Sequence, residues 1–414
     1  MAVSTPAPLD SSKLETQFTQ TERPLPDHNS PEQWSQSYQT DHMLTVSWDV
    51  TNGWETPKIG PYSNLSLPPT ASIFHYATTC FEGMKVYRGY DGKARLFRPH
   101  LNAARMLRSA QRVCLPSFDP AELEVLLIKF AEVEAKKWVP ESRPGTFFYL
   151  RPMMLGTQST IGLQPAKEAL LCIISVVFPN IDDTPVTKGP IDGSGETSKA
   201  FSPLKATTGT KEENSPGLKL FASASSHVRA WPGGSGAAKI GANYGPTLVP
   251  QQEARNAGFD QVLWLYGGSG FENNPLVTEA GGSNFFMVWK TPEGKTQLIT
   301  ATLELGIILP GITRQSILEL SKDEFKDELE VVESDFGIED IVLAHKENRL
   351  VEAFVAGTAY FVTPVKQITY QGNDLRVPLS EGTSGKYTKA IREYLMAVQY
   401  GQRESKWGVV LNEL

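Results

Sequence analysis

The sequence predicts a mixed α+β protein made of two domains. Three observations carry that expectation. The 414 residues exceed the roughly 100–200 of a single domain. Segments with helical and with strand-like apolar spacing follow one another on both sides of a break. The break, from Asn180 to about Pro216, is dominated by Gly, Pro, Ser, Thr, Lys and Asp, the composition of a linker or an insertion.

The elements follow in order. Residues 1–34 are rich in Pro, Ser, Thr, Asp and Gln and have no apolar block, so they read as a disordered or draped arm without a secretory signal. Asp10 and Glu15 precede the first arginine, Arg23, which does not suit an Arg-rich mitochondrial presequence; the expected compartment is the cytoplasm. Residues 35–180 read as a small α/β domain. Asp41–Trp48 and Ile73–Tyr76 have strand-like composition. Phe81–Arg88 reads as a strand, and Gly89-Tyr90-Asp91-Gly92 as a hairpin turn into Ala94–Phe97. Leu101, Met106, Leu107 and Ala110 recur at helical spacing in Pro99–Val113. Leu123, Leu126, Leu127, Phe130 and Val133 share one face of a helix over Pro120–Trp138. Thr146–Met154 and Leu170–Phe178 complete this domain as strands. After a linker or insertion over residues 181–216, residues 217–414 read as a larger domain. Its strands are Lys219–Ala222, Gln261–Tyr266, Asn284–Trp289, Thr296–Thr300 and Ala359–Val365. Its helices are Leu248–Asn256, Thr313–Leu320, Ile338–Glu347 and Lys386–Gln399.

Charge and composition narrow the function. Lys plus Arg number 39 and Asp plus Glu 46, a net charge of −7 with no basic block, which argues against nucleic acid as the main partner. The longest largely apolar run, Ala169–Phe178, is about half the ~20 residues of a membrane helix. Cys80, Cys114 and Cys172 lie far apart and form neither a disulfide framework nor a zinc pattern, so no metal is expected and a reducing compartment is.

Four segments carry chemistry. Trp231-Pro-Gly-Gly-Ser-Gly-Ala-Ala-Lys-Ile-Gly-Ala-Asn-Tyr-Gly245 sets one lysine, Lys239, among glycines and small apolar residues. An amine held out of water is a nucleophile for Schiff-base chemistry, although a Gly-rich surface turn has the same composition. Glu279 precedes two glycines and an apolar strand, where a carboxylate at the base of a site holds a pyridinium nitrogen protonated; a strand-edge glutamate facing water reads the same way. Leu309-Pro-Gly-Ile-Thr-Arg-Gln-Ser316 puts Thr313 at a helix start, where backbone amides suit an anion. Gly357-Thr358-Ala359 reads as the opening of the last apolar strand, with an amide and a hydroxyl for oxygens.

In order and spacing, Lys239, Tyr244, Glu279, the Leu-Pro-Gly-Ile-Thr turn and Gly-Thr-Ala resemble the fold-type IV pyridoxal-phosphate aminotransferases. Further motifs narrow the likeness to the eukaryotic branched-chain amino acid aminotransferases. They are Thr40-Asp-His-Met-Leu, Phe81-Glu-Gly-Met-Lys, Leu96-Phe-Arg-Pro, Tyr149-Leu-Arg-Pro, Val228-Arg-Ala-Trp, Gly233-Gly-Ser-Gly, Gln261-Val-Leu-Trp-Leu-Tyr-Gly and Gln399-Tyr-Gly. The likeness spans about residues 35–414.

The resemblance implies a two-domain enzyme with pyridoxal 5'-phosphate at the domain interface. Lys239 would form the internal aldimine and shuttle the proton. Glu279 would face the pyridine nitrogen and Tyr244 the ring hydroxyl. Arg105, the amides of Ile312 and Thr313, and the hydroxyls of Thr313 and Thr358 would hold the phosphate. Tyr149 and Arg151, which alternate on one strand, would line the substrate cavity with Gly282. Phe81 would form an apolar wall, and Tyr76, Thr358 and Ala359 the α-carboxylate site. Tyr76 and Leu163 would come from the neighbouring subunit of a homodimer. Several positions depart from the family pattern: Ser35 for a bulky Phe, Gly282-Ser283 for Thr-Met, Tyr360 and Thr363 for a Cys pair, and Glu304-Leu305-Gly306 for Leu-Asp-Gly.

The expected activity is ping-pong amino transfer between a hydrophobic L-amino acid and 2-oxoglutarate. Three alternatives remain from the sequence. One is a larger hydrophobic substrate in a specialised pathway. A second is the same fold acting on D-amino acids or (R)-amines, or as an aminodeoxychorismate-type lyase. The third is an inactive scaffold.

Overall fold

The computed structural model describes residues 6–28, 30–179, 217–359 and 361–414; the expected linker over 181–216 lies outside the described residues. The described residues divide into two compact units. The first holds residues up to 179 together with Ala238–Ala242 and Met396–Leu414, and the second holds residues 217–237 with Asn243–Leu395.

The first unit is a mixed sheet backed by two helices. From one edge the strands run Glu15–Thr16, Lys58–Pro61, His42–Asp49, Glu168–Val177, Phe147–Gly156, Met84–Arg88, Ala94–Phe97 and Gly408–Val410. Thr79–Phe81 pairs with Phe147–Gly156 off this path. Period-two alternation buries Leu44 and Val46 of one strand with Leu171 and Ile173 of its neighbour. The helix Pro120–Trp138 starts cleanly because the Asp119 carboxylate accepts from the Ala121 amide and Pro120 occupies the first turn. Its Leu123, Leu126, Leu127 and Phe130 pack into the same core. Full burial of such a side chain contributes roughly 1.5–3 kcal/mol, so this face alone anchors the helix.

Both ends of the chain stitch onto this sheet. Ala7 bridges Gly53, Leu9 is buried, and the Thr19 amide donates to His42 Nε2 at 3.0 Å. Arg88 is fully buried; its Nε donates to the Val139 carbonyl at 2.6 Å, and its guanidinium takes both carboxylate oxygens of Glu413 at 2.6 and 2.5 Å.

The second unit is a sheet ordered Leu276–Ala280, Gln261–Tyr266, Leu218–Ala222, Phe361–Tyr370, Leu350–Gly357, Ser283–Lys290, Thr296–Thr300 and Glu330–Glu333. Leu276–Ala280 also pairs with Ser283–Lys290, which closes six of these strands into a ring. Leu263, Phe285, Val355 and Ile368 pack in its core. The helices that start in this unit are Leu248–Asn256, Ile312–Glu324, Ile338–Lys346 and Lys386–Gln399. The last is held at its start by Glu352, which accepts from the Tyr387 amide at 3.1 Å and the Thr388 amide at 2.6 Å.

Three local expectations are corrected. Ile73–Tyr76 belongs to a single helical turn, Ser72–Tyr76, closed by Ala77 at φ 49°. Four residues, Ile73-Phe-His-Tyr76, are too short a run for composition to separate a turn from a strand. Phe81–Arg88 is two strands, Thr79–Phe81 and Met84–Arg88, broken at Glu82-Gly83. Gly83 passes so close to Tyr149 that a Cβ there would lie 1.9 Å from the phenol oxygen. Gly357-Thr358-Ala359 closes the strand Leu350–Gly357 and forms the turn after it, rather than opening a strand.

Among the described residues no helix is long and apolar enough to cross a membrane. Burial pushes the Cys80 and Cys172 thiols up to about 12, and for Cys80 the Glu82 charge adds to it. Cys114 is exposed. Titration with an aromatic disulfide should therefore give one fast thiol in the native protein and all three after denaturation. Fast reaction of Cys80 or Cys172 in the native state would contradict this packing.

Candidate active site

The residues singled out from sequence fall into two groups, one in each unit. In the first unit, Lys239 lies along the strand Thr79–Phe81. Its carbonyl accepts from the Phe81 amide at 3.0 Å, its amide donates to Ser109 Oγ at 2.9 Å, and Ile240 bridges Cys80. The Gly-rich segment is thereby zipped to ordered structure at the lysine itself. Gly241 follows where a Cβ would lie 2.7 Å from the Thr79 methyl.

The lysine side chain is half-buried, with Nζ 4.9 Å from the centre of the Phe81 ring. The Arg151 guanidinium lies 4.9 Å from the same ring and 5.4 Å from that of Tyr149. Both cations thus use the negative face of one aromatic ring. Arg151 Nε is buried and makes no hydrogen bond among the described residues.

Arg105 is buried with Glu82, a residue the sequence reading did not select. Glu82 takes Arg105 Nε and Nη2 at 2.7 Å each and Asn102 Nδ2 at 2.8 Å. Burial pushes the Glu82 carboxyl up, but the charges of Arg105 and Lys239 and these hydrogen bonds outweigh it and hold the group below its usual range. Asn102, Arg105 and Ser109 stand three, then four, residues apart on the helix Pro99–Arg112, which puts them on one face. That polar stripe on a buried face is the signal from which Glu82's neighbourhood was readable.

Tyr76 and Leu163 lie elsewhere in this unit. The Tyr76 hydroxyl bonds the Ile161 carbonyl, and Phe74, Ile161 and Leu163 are 62%, 64% and 79% exposed.

In the second unit, Glu279 is buried, not solvent-facing. Its Oε1 accepts from Asn284 Nδ2 and the Leu309 amide, both at 3.1 Å, and its Oε2 lies 2.7 Å from Arg229 Nη2. Asn284 reaches the Leu309 carbonyl as well, at 2.9 Å. It thus ties the carboxylate to the turn that starts the helix Ile312–Glu324. Gly311 caps that helix without a side chain, and a Cβ there would meet Asn284 Oδ1 at 2.1 Å. Ile312 and Thr313 occupy the first turn, where amides and dipole favour an anion. Gly357, with Thr358 and Ala359 after it, stands against Ser283, since a Cβ on Gly357 would lie 2.9 Å from Ser283 Oγ. Glu279, Ser283, Asn284, Ile312, Thr313 and Thr358 are therefore gathered at one end of this sheet. Gly282 is exposed, with open space at its Cβ position. Tyr244 is half-buried, just before the turn Gly245–Thr247. Arg229 and Asn284 were also not selected from sequence, although Arg229 lies in the quoted Val228-Arg-Ala-Trp motif.

Residues 79–368 match the amino-transferase class IV family. This chain belongs to that family. It is 40% identical to the cytosolic branched-chain-amino-acid aminotransferase of Saccharomyces cerevisiae, with 99% of each chain covered. It is 39% identical to the mitochondrial enzyme of that name from Schizosaccharomyces pombe, over 99% of this chain and 87% of the relative. The Escherichia coli branched-chain amino acid aminotransferase structure superposes with a TM-score of 0.62 at 24% identity, covering 90% of this chain and 98% of that one. That last likeness is one of fold, and it makes the two-unit architecture that of the fold-type IV enzymes.

The Glu279 clamp is testable in this aminotransferase. Breaking a buried pair leaves an uncompensated charge and costs about 3–5 kcal/mol, so Arg229→Met should lower the urea midpoint clearly. Adding Glu279→Leu should recover most of that loss. A single variant that unfolds at the wild-type midpoint would refute the clamp.

Proposed function

We propose that this chain catalyses amino transfer between L-leucine, L-isoleucine or L-valine and 2-oxoglutarate, using pyridoxal 5'-phosphate and yielding the 2-oxo acid and L-glutamate. The observation that carries it is Lys239: an amine whose main chain is fixed on both sides, in a chain of the class IV aminotransferase family. The named relatives carry the branched-chain name, which favours this reading over D-amino acid, (R)-amine or lyase chemistry.

The residues fit the cofactor. Its aldehyde needs an amine, its phosphate needs cationic and amide donors, and its ring nitrogen needs an acid. The first unit supplies Lys239 and a buried arginine; the second supplies a buried carboxylate and a helix start capped by glycine. When bound, pyridoxal phosphate supplies a carbonyl carbon and a ring that accepts negative charge from the carbon beside it. The chain does the rest. Lys239 takes the proton from the substrate Cα and returns it, as base and then acid. Glu279, kept in place by Arg229, Asn284 and the Leu309 amide, holds a proton at the ring nitrogen. Tyr244 donates to the ring hydroxyl. Arg105, the amides of Ile312 and Thr313, and the hydroxyls of Thr313 and Thr358 bind the phosphate.

On the substrate side, Phe81 supplies the apolar wall, and Tyr149 and Gly282 line the cavity. Arg151 accepts the second carboxylate of 2-oxoglutarate, and its buried Nε supports that role. Tyr76, Thr358 and Ala359 take the α-carboxylate. The exposed apolar cluster around Tyr76 supports a homodimer in which Tyr76 and Leu163 serve the partner's site. Both cytosolic and mitochondrial relatives exist. The acidic residues before Arg23 favour the cytosolic placement.

Single-turnover conversion of the purified pyridoxal form should proceed with L-leucine, L-isoleucine and L-valine and not with their D-enantiomers. Lys239→Ala should lose the long-wavelength absorbance and about 10²–10⁴-fold in rate, the range for removing a general acid–base. Unchanged spectrum and turnover in that variant would overturn the assignment.

A further inference from the structure

Arg105, which binds the phosphate in the proposed function, needs something to aim it. Arginine has a long, flexible stem, so a guanidinium that must meet an anion squarely needs a partner that sets its plane. Glu82 is built for that. It is 1% exposed, and its own amide is pinned to the Pro152 carbonyl at 2.7 Å. Each carboxylate oxygen receives one N–H of the Arg105 fork, Nε on Oε1 and Nη2 on Oε2, at 2.7 Å. A two-point contact of this kind fixes orientation as well as distance. Asn102 holds Oε2 from the other side, at 2.8 Å, and also reaches the Gly83 carbonyl at 3.4 Å. The glutamate is the residue directly after Phe81, whose amide bonds Lys239 and whose ring carries both Lys239 and Arg151.

We propose that Glu82 is a positioning residue: it sets the plane of the Arg105 guanidinium for the phosphate of the cofactor, from the position directly after the strand that seats Lys239. The inference rests on the proposed function and deepens it. Glu82 touches neither substrate nor cofactor; it acts through Arg105. A carboxylate that served only to neutralise a buried arginine would matter for stability alone, without regard to which ligand binds.

Equilibrium binding separates the two roles. Pyridoxal 5'-phosphate and pyridoxal differ only in the phosphate, and both are measured by tryptophan quenching on full-length protein stripped of cofactor. Glu82→Gln keeps shape but replaces one acceptor with a donor that faces Arg105 or Asn102. It should weaken pyridoxal 5'-phosphate binding about 10–100-fold, the scale of one charge-assisted hydrogen bond, and leave pyridoxal within about twofold. Glu82→Asp keeps the charge but withdraws it by one methylene, so it should show the same selective loss, smaller. This variant carries the test if Glu82→Gln folds poorly. In an Arg105→Gln background, Glu82→Gln should add little, because the guanidinium it aims is gone. Equal loss for both ligands, or none for either, overturns the proposal. Wild-type protein that does not prefer the phosphorylated ligand overturns the functional reading instead.

Discussion

The Phe81 amide and the Ser109 hydroxyl grip the main chain of Lys239, one at its carbonyl and the other at its own amide. A lysine side chain has four rotatable carbons, and its amine sweeps a wide volume unless the backbone beneath it is fixed. The surrounding segment is rich in glycine and would be the least ordered part of the chain if left to local preference. Those two hydrogen bonds and the Cys80 bridge override that preference. The segment is thereby tied to the strand Thr79–Phe81 by an isolated bridge at Ile240 and by the hydrogen bonds at Lys239. Phe81 then takes a second part, offering its ring face to two cations, so one residue organises both the amine and Arg151.

Each unit also buries a carboxylate against an arginine: Glu82 with Arg105, and Glu279 with Arg229. Desolvating such a pair costs several kcal/mol per ion, and apolar side chains of similar size would stabilise the fold at least as well. Their value lies in direction. Arg105, Asn102 and the Gly83 amide all donate to Glu82, and Asn284, the Leu309 amide and Arg229 hold Glu279, so each carboxylate is fixed in orientation. The glycines beside them serve the same end by letting neighbours approach: Gly83 admits the Tyr149 phenol, and Gly311 admits Asn284.

The long amphipathic helices were legible because their apolar residues recur with the helical period, as in Leu123, Leu126, Leu127 and Phe130. The family motifs were legible because they are many and ordered. The strand Leu350–Gly357 has no signature in the sequence, because a strand buried on both faces shows no alternation to read. The break at Glu82-Gly83 depends on Tyr149, more than sixty residues away, and no local pattern reports it. Arg229 and Asn284 matter through what they touch, and contact is a property of the folded chain. The placement of Ala238–Ala242 in the first unit has the same origin: it is set by pairing with Thr79–Phe81 and not by composition.

The first sheet receives its last strand, Gly408–Val410, after the whole of the second unit has been translated. Until then Ala94–Phe97 is an open edge, and Arg88 awaits the carboxylate of Glu413. At about 5–20 residues per second that interval is on the order of tens of seconds on the ribosome. The six-stranded ring, whose residues are contiguous apart from the lysine segment, can close while the earlier-made half is still incomplete. The edge strand Ala94–Phe97 thus stays without its outer partner for the whole of that interval, and an unpaired edge is a template for pairing with another chain.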